Sequence, residues 1–149
     1  MAQAGSAAEL GAATQRGSAA ICYRAYLRDK WQSWVCNGKV AGAPGAGLEM
    51  RALQIFAVGA TGSLCGAYIL SGEGVTDGVC ANAFGVLTLG RVDSGRNLGL
   101  VAFGFRPATQ LCANGYVDGV GWQGERCGEA AGAGDITGAH RVEAIRIRL

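Results

Sequence analysis

The sequence contains very little histidine, proline and lysine. Among its 149 residues there are one histidine, two prolines and two lysines. A single histidine, with no cysteines at CxxC spacing, argues against a zinc site, and we expect neither a metal nor a cofactor. The formal net charge is only +2, and the eleven arginines are scattered along the chain. Because nucleic-acid binders concentrate basic residues on one face, we expect no nucleic-acid partner.

Long apolar runs are missing as well. The stretch from Phe56 to Leu70 comes closest, but three glycines and a serine interrupt it, and a membrane helix needs about 18 or more apolar residues in succession. The segment from Met1 to Ala20 lacks the apolar stretch of a secretory signal peptide. We therefore expect no membrane insertion, and we interpret the chain as a mature form with an added initiator methionine.

Glycine and cysteine are abundant, and the cysteines follow a repeat. There are 26 glycines and six cysteines. Three segments start at a cysteine in an apolar strand pattern, pass through a turn, and reach a second cysteine before another apolar strand. These segments are Ile21–Cys36, Leu64–Cys80 and Leu111–Cys127. Internal repeats of this kind indicate a domain built from stacked copies, which we place at residues 20–58, 62–106 and 109–149.

Turn residues stand at the midpoint of each cysteine pair, as at Asp29-Lys30 in copy one and Asp118-Gly119 in copy three. Two strands around such a turn predict a β-hairpin, in which residues equally far from the turn face each other. The repeat therefore selects one connectivity among those that six cysteines allow. The predicted pairs are Cys22–Cys36, Cys65–Cys80 and Cys112–Cys127. Disulfides persist in oxidising compartments, so we expect a secreted, extracellular protein.

Each copy has an apolar strand face that it cannot bury by itself. Three copies can bury these faces together around a shared axis, as happens in a β-prism of three small sheets and in a β-trefoil. Each copy offers three clear strands, with a possible fourth near Val40 in copy one or Ala130 in copy three. We therefore predict a three-fold pseudo-symmetric, all-β repeat domain, with the β-prism preferred and the β-trefoil second.

Residues 1–19 differ from the rest of the chain. The segment is small, polar and rich in alanine and glycine, and Leu10 is its one large apolar residue besides Met1. Such a composition cannot bury enough surface to order itself. We expect a flexible N-terminal arm, which is either a frayed tail or a docking segment with Leu10 as its anchor and Glu9 and Arg16 at its rim.

Copies three and one resemble a known repeat. In copy three the matching residues are Gly121-Trp122, Gly132-Ala133-Gly134, Gly138 and the closing stretch RVEAIRIRL from Arg141 to Leu149. In copy one they are Trp31, Asn37-Gly38, Ala41-Gly42 and MRALQI from Met50 to Ile55. The pattern is similar to the hydrophobic-W (ChW) repeat of secreted Gram-positive bacterial proteins, which copy two matches poorly. The resemblance implies a binding module and not a catalyst.

Aromatic side chains are the first candidates for ligand contact. Trp31 and Trp122 precede the second cysteine of their copies by five residues, where copy two has Val75, and we interpret both as core residues. Trp34 has no counterpart in the other copies, so we predict that it is exposed and contacts the ligand. We expect equivalent surfaces around the tyrosines that follow the first cysteines, which are Tyr26, Tyr68 and Tyr116.

No set of residues forms a recognisable active site. We interpret His140 as a surface turn residue. Paired carboxylates could serve a glycosidase, but we interpret the candidates as solvated loop charges: Glu125, Glu129, Asp135 and Glu143. We therefore predict a non-catalytic, lectin-like module that recognises a glycan or cell-wall polymer. The alternative is a protein–protein adaptor subunit of a secreted multi-protein assembly, such as a bacterial toxin particle, that docks through its N-terminal arm.

Overall fold

The computed structural model describes residues 19–60 and 62–149. Over these residues the regular structure is entirely β, with strands in three antiparallel sheets and no helix. None of the described segments is therefore a helix that could cross a membrane. The predicted docking residues Glu9, Leu10 and Arg16 lie outside the described residues, and their role stays a prediction.

In each copy a long first strand pairs with a long closing strand, and the remaining strands are short. The bounds in chain order are β1 (Ala20–Leu27), β2 (Lys30–Trp31), β3 (Val35–Cys36), β4 (Val40–Gly42), β5 (Met50–Val58), β6 (Ser63–Leu70), β7 (Val79–Cys80), β8 (Leu87–Gly90), β9 (Leu98–Arg106), β10 (Leu111–Val117), β11 (Gly121–Trp122), β12 (Arg126–Gly128), β13 (Ala130–Gly134) and β14 (Val142–Arg148). The long pairs are β1 with β5, β6 with β9 and β10 with β14.

Each sheet combines strands of one copy with a strand of another. Sheet A has the order β2-β1-β5-β8, with β3 also on β1; sheet B has the order β11-β10-β14-β4, with β12 also on β10; and sheet C has the order β13-β9-β6-β7. Copy one thus supplies β4 to sheet B, copy two supplies β8 to sheet A, and copy three supplies β13 to sheet C. The predicted fourth strands near Val40 and Ala130 exist, but they pair outside their own copy. The described strands form no closed barrel.

A glycine ends each exchanged strand because no other residue fits there. Gly42, Gly90 and Gly134 have φ angles of 99°, 93° and 95°. A Cβ added at these positions would lie 2.3, 2.3 and 2.1 Å from a backbone oxygen of the neighbouring strand. Glycine alone combines a positive φ with such close backbone approach. These glycines let each copy place a strand tightly against the sheet of another.

The three predicted disulfides are confirmed. Cys22 bonds Cys36, Cys65 bonds Cys80, and Cys112 bonds Cys127. In each pair the two cysteines are direct cross-strand neighbours in the hairpin. Three disulfides are consistent with an extracellular protein.

The inner faces of the three sheets share one apolar core. Its fully buried members come from every copy and include Ile21, Leu53, Leu98 and Ile145. Tyr23 adds a polar link within this core, since the Ile147 backbone N–H donates to its hydroxyl over 2.9 Å and the hydroxyl donates to the Lys39 carbonyl. A buried backbone group without a partner would cost about 1–3 kcal/mol, so this side chain stabilises the contact between sheets A and B.

Candidate functional site

The outer faces of the three sheets carry different side chains at matching positions. Alternation points every second strand residue away from the core, and strand register aligns one row of these residues across each sheet. The rows are Arg24, Gln54 and Thr88 in sheet A, Asn114, Arg146 and Val40 in sheet B, and Ala67, Ala102 and Gly132 in sheet C. In this row sheet C has only alanine and glycine, whereas sheets A and B present polar groups that can bind a ligand.

Aromatic side chains surround the centre of the outer face of sheet A. The guanidinium carbon of Arg24 lies 4.7 Å from the ring centroid of Trp31 and 4.6 Å from that of Trp34, within the range of cation–π attraction. Trp34 meets Phe56 edge-on, with ring centroids 4.7 Å apart, and packs with the Cys22–Cys36 disulfide. A second, small apolar cluster thus lies on the opposite side of sheet A from the main core.

Hydrogen bonds across three strands hold Arg24 in place. Its Nε donates to Oε1 of Gln54 over 2.9 Å, and Nε2 of Gln54 donates to Oγ1 of Thr88 over 3.2 Å. Partial burial lowers the pKa of the Arg24 guanidinium. Arginine nevertheless remains charged at neutral pH because its ordinary pKa is so high. The sheet therefore holds a cation of fixed orientation at the centre of this face.

A tight loop between β7 and β8 presents an exposed aromatic ring beside this cation. The Asn82 N–H donates to the Val86 carbonyl over 2.9 Å, while the Asn82 side-chain oxygen accepts from the N–H groups of Phe84 and Val86 over 2.9 and 3.1 Å. Asn82 thereby closes the loop on itself, as asparagine does in Asx turns. Phe84, at the tip, is 89% exposed.

The loop and the sheet enclose a shallow groove of about 340 Å³. Its lining combines aromatic and aliphatic surface with two amides and one guanidinium: Arg24, Trp34, Gln54, Phe56, Asn82, Phe84 and Val86. A mainly apolar concavity with a few polar groups is the usual form of a small-ligand site. We define these seven residues as the sheet A groove.

The structure reverses the predicted roles of the tryptophans. Trp34 was expected to be exposed, but it is only 7% exposed, because it packs against Phe56 and the disulfide. Trp122 was expected in the core, yet it is 39% exposed. It packs edge-on against Tyr116 with centroids 5.5 Å apart, and Trp31 is half-buried against Tyr26 in the same way at 5.2 Å.

Tyr68 does not occupy the position of Tyr26 and Tyr116. Those two tyrosines pair with tryptophans across the hairpin, whereas in copy two the corresponding bridge joins Ile69 and Val75. Because strand residues alternate between faces, a shift of one residue places Tyr68 on the opposite side. The structure thus contains two Tyr–Trp pairs, and the matching position in copy two holds the aliphatic pair Ile69 and Val75. The prediction of three equivalent tyrosine surfaces is therefore wrong.

Glu143 is not a solvated loop charge. It is 1% exposed, and its Oε1 accepts from the Gly45 N–H over 3.0 Å while its Oε2 lies 3.1 Å from Nε of Arg141. Gly45 belongs to copy one and Glu143 to copy three, so this buried carboxylate fastens two copies together. A buried charge needs such partners to be tolerated, which makes its role structural.

The other carboxylates and the histidine lie at the surface, as expected. Hydrogen bonds from Arg148 hold the pKa of Glu125 below its usual value, and the Thr137 hydroxyl does the same for Asp135. Glu125 lies near the sulfurs of Cys112 and Cys127, but these sulfurs are bonded to each other and cannot act as thiolate ligands. His140 is exposed. The candidates for acid–base chemistry thus do not gather at the sheet A groove.

Sequence reasoning missed Arg24, Asn82 and Phe84. Arg24 is one of many scattered arginines, and nothing local distinguishes it. The stretch Asn82-Ala83-Phe84-Gly85 does carry a signal, since an Asn followed by Gly three residues later is typical of a tight turn. A phenylalanine inside such a turn has little chance of burial. Gln54 lies on the face of β5 opposite Leu53 and Ile55, as the alternation of strand residues requires.

Comparison with known proteins gives one family match. The family model described as "Clostridial hydrophobic W" (ChW) matches residues 31–59, a segment that runs from Trp31 through β5 and contributes Trp34, Gln54 and Phe56 to the groove. No curated protein and no solved structure matches the chain significantly. The matched residues fall almost entirely in copy one, which is therefore similar to ChW over that segment, and the resemblance of the other two copies stays a prediction.

Proposed function

We propose that the chain is a non-catalytic, secreted binding module of lectin-like type that recognises a glycan or cell-wall polymer. The observation that carries the proposal is the sheet A groove, in which the exposed ring of Phe84 stands beside the amides of Gln54 and Asn82 and the guanidinium of Arg24. Aromatic rings offer flat apolar faces that suit the C–H face of a sugar ring, while amide and guanidinium groups can bind its hydroxyls. The absence of a local acid–base pair at this groove supports a binding role over a hydrolytic one.

The proposal includes three ChW-like copies arranged as a pseudo-symmetric β-prism. Two features support it: each copy supplies one strand to another copy's sheet, and each supplied strand ends at a glycine with a positive φ. A β-trefoil, the second alternative, is built on a closed barrel, which the described sheets do not form. Because the ChW repeat is typical of secreted Gram-positive proteins, we also propose that origin and an extracellular location, with neither nucleic-acid binding nor membrane insertion.

A wall pull-down and a glycan array with matched variants test the binding site. Phe84→Ala removes the most exposed aromatic ring of the groove, and Ile136→Ala removes a side chain that is also exposed, at 72%, but lies on a loop of copy three. We expect Phe84→Ala to weaken capture by wall polymer or array glycan, and Ile136→Ala to leave it unchanged. No binding of the folded protein to any polymer would contradict the proposal.

The second candidate function is the protein–protein adaptor. It is favoured by the difference between the three outer faces, since one repeated sugar site would need similar faces, whereas three partners would not. Sheet B presents Arg146 and the ion pair of Arg148 with Glu125, the central row of sheet C presents alanine and glycine, and sheet A presents the groove beside Arg24 and Phe84. Such different surfaces suit separate contacts inside a secreted assembly.

Deleting residues 2–19 separates the two candidates. An adaptor that docks through its arm, with Leu10, Glu9 and Arg16 in contact, loses capture of secreted partners while polymer binding by the groove is unaffected. Native secretion analysed by size exclusion should then show the chain in a large complex. A monomeric native protein, or capture that survives the deletion, would leave the lectin-like module as the better account.

A further inference from the structure

The sheet A groove contains one uncompensated positive charge. Arg24 is the only ionisable side chain among its seven lining residues, and no carboxylate of the described residues lies within ion-pair distance of it. Other arginines of the chain do have such partners: Arg148 pairs with Glu125 at 2.7 Å, and Arg141 with Glu143 at 3.1 Å. A cation placed in a groove without a counter-charge attracts an anionic ligand.

The geometry of Arg24 leaves only one edge of its guanidinium available. Trp31 and Trp34 each lie within cation–π distance of the group, and Nε is engaged by Gln54. The remaining donors are on Nη1 and Nη2, which have no protein partner among the described residues and are not among the buried unpaired atoms. Two adjacent guanidinium nitrogens match the two oxygens of a carboxylate, a pairing that is both strong and directional.

The surroundings of this edge favour a sugar acid over other anions. The exposed ring of Phe84 and the partly exposed rings of Phe56 and Trp31 offer flat apolar surface within the same face, which a pyranose ring can cover and a polyol phosphate chain cannot. The Nδ2 group of Asn82 remains as a donor, since the loop uses only the side-chain oxygen. One cation, flat apolar surface and a neutral amide donor together describe a site for a singly charged ring.

We propose that the sheet A groove selects an acidic polysaccharide, with Nη1 and Nη2 of Arg24 binding the carboxylate of a uronic-acid residue whose ring packs on Phe84. This inference rests on the proposed glycan-binding function and narrows it to one ligand class. It also assigns separate roles to two residues. Arg24 discriminates by charge, and Phe84 contributes affinity that does not depend on charge.

Matched ligands test the proposal on the unaltered protein. Calorimetric titration with oligogalacturonate and with its methyl ester, which has the same sugar rings but no charge, isolates the carboxylate. Hydrogen bonds to a charged partner are among the stronger ones in proteins, so we expect the acid to bind about 10- to 100-fold more tightly than the ester. Raised salt should weaken binding of the acid and leave binding of the ester nearly unchanged.

Variants then identify the residues. Arg24→Gln should bring the affinity for the acid down to that for the ester, and Phe84→Ala should weaken both ligands by a similar factor. Arg146→Gln, on the outer face of sheet B, is the control for loss of one surface arginine and should change neither. Because the acid–ester comparison needs no variant, a misfolded Arg24→Gln protein does not leave the proposal untested.

Each other outcome overturns the proposal in a recognisable way. Equal affinity for acid and ester would remove the carboxylate preference while leaving glycan binding intact. Tighter binding of oligoglutamate would identify an acidic peptide as the ligand, and tighter binding of polyglycerol phosphate would identify a wall phosphate. If no glycan of either charge binds, the proposed lectin-like function fails together with this inference.

Discussion

At the scale of single residues, Trp34 and Trp122 differ in their surroundings. The two tryptophans should therefore contribute differently to the stability of the fold. Trp34 is 7% exposed and Trp122 is 39% exposed. Truncating a buried aromatic residue to alanine costs about 3–5 kcal/mol, whereas most surface substitutions cost far less. We expect Trp34→Ala to lower the free energy of unfolding by ~3 kcal/mol and Trp122→Ala by ~1 kcal/mol, as measured by guanidinium denaturation of the oxidised protein. Equal losses would show that Trp34 is not a core residue.

The face of Tyr68 could have been predicted correctly from the sequence, whereas the burial of Trp34 could not. Tyr68 follows its cysteine by three residues, while Tyr26 and Tyr116 follow theirs by four. In a strand of period two, that difference puts the ring on the opposite face, so the error was avoidable. The burial of Trp34 was not predictable in this way, because residues 32–34 leave the strand between β2 and β3 and alternation cannot be counted across the gap.

At the scale of elements, the glycine that ends each exchanged strand is the critical position. Gly90 has φ 93° and a neighbouring backbone oxygen 2.3 Å from an added Cβ, whereas Gly95 has φ 69° and no atom within 4 Å. Gly95→Ala thus adds only backbone strain of about 1–2 kcal/mol, and Gly90→Ala adds a backbone clash as well. We expect a clearly lower guanidinium midpoint for Gly90→Ala than for Gly95→Ala. Matching midpoints would mean that β8 does not pack against β5 as described.

The three hairpins differ in how far solvent reaches their disulfides. Cys22 and Cys36 are both 0% exposed beneath Trp34, while Cys80 and Cys127 are exposed. Thiol–disulfide exchange requires access to a sulfur, so we expect a mild reductant to open the second and third disulfides before the first. Timed alkylation followed by peptide mass spectrometry gives the order. Early labelling of Cys22 and Cys36 would contradict the described packing of copy one.

The sequence was sufficient to predict those elements that depend on residues close together in the chain. The hairpins and their cysteine pairs follow from residues equally far from a turn, and the structure confirms them. The partners of β4, β8 and β13 were not predictable, because strands as short as Val40–Gly42 fit equally well on any edge. Their placement depends on backbone approach at Gly42, Gly90 and Gly134, which becomes visible only in three dimensions.

At the scale of the whole molecule, one core supports three unlike surfaces. The inner faces are uniformly apolar and buried, and the copies are joined by exchanged strands, by Tyr23 and by Glu143. The outer faces differ in the side chains that they present at aligned positions. The sheet A groove is therefore built from residues of copies one and two.

We propose that ligand binding occurs at the sheet A groove. Nuclear magnetic resonance of isotope-labelled protein, titrated with a soluble digest of Gram-positive cell wall, can locate the bound ligand residue by residue. We expect the largest shift changes at the Trp34 indole, the Arg24 side chain and the amides of residues 82–86, because these groups line or close the groove. Changes centred on Tyr116 and Trp122, or none at any residue, would contradict the claim.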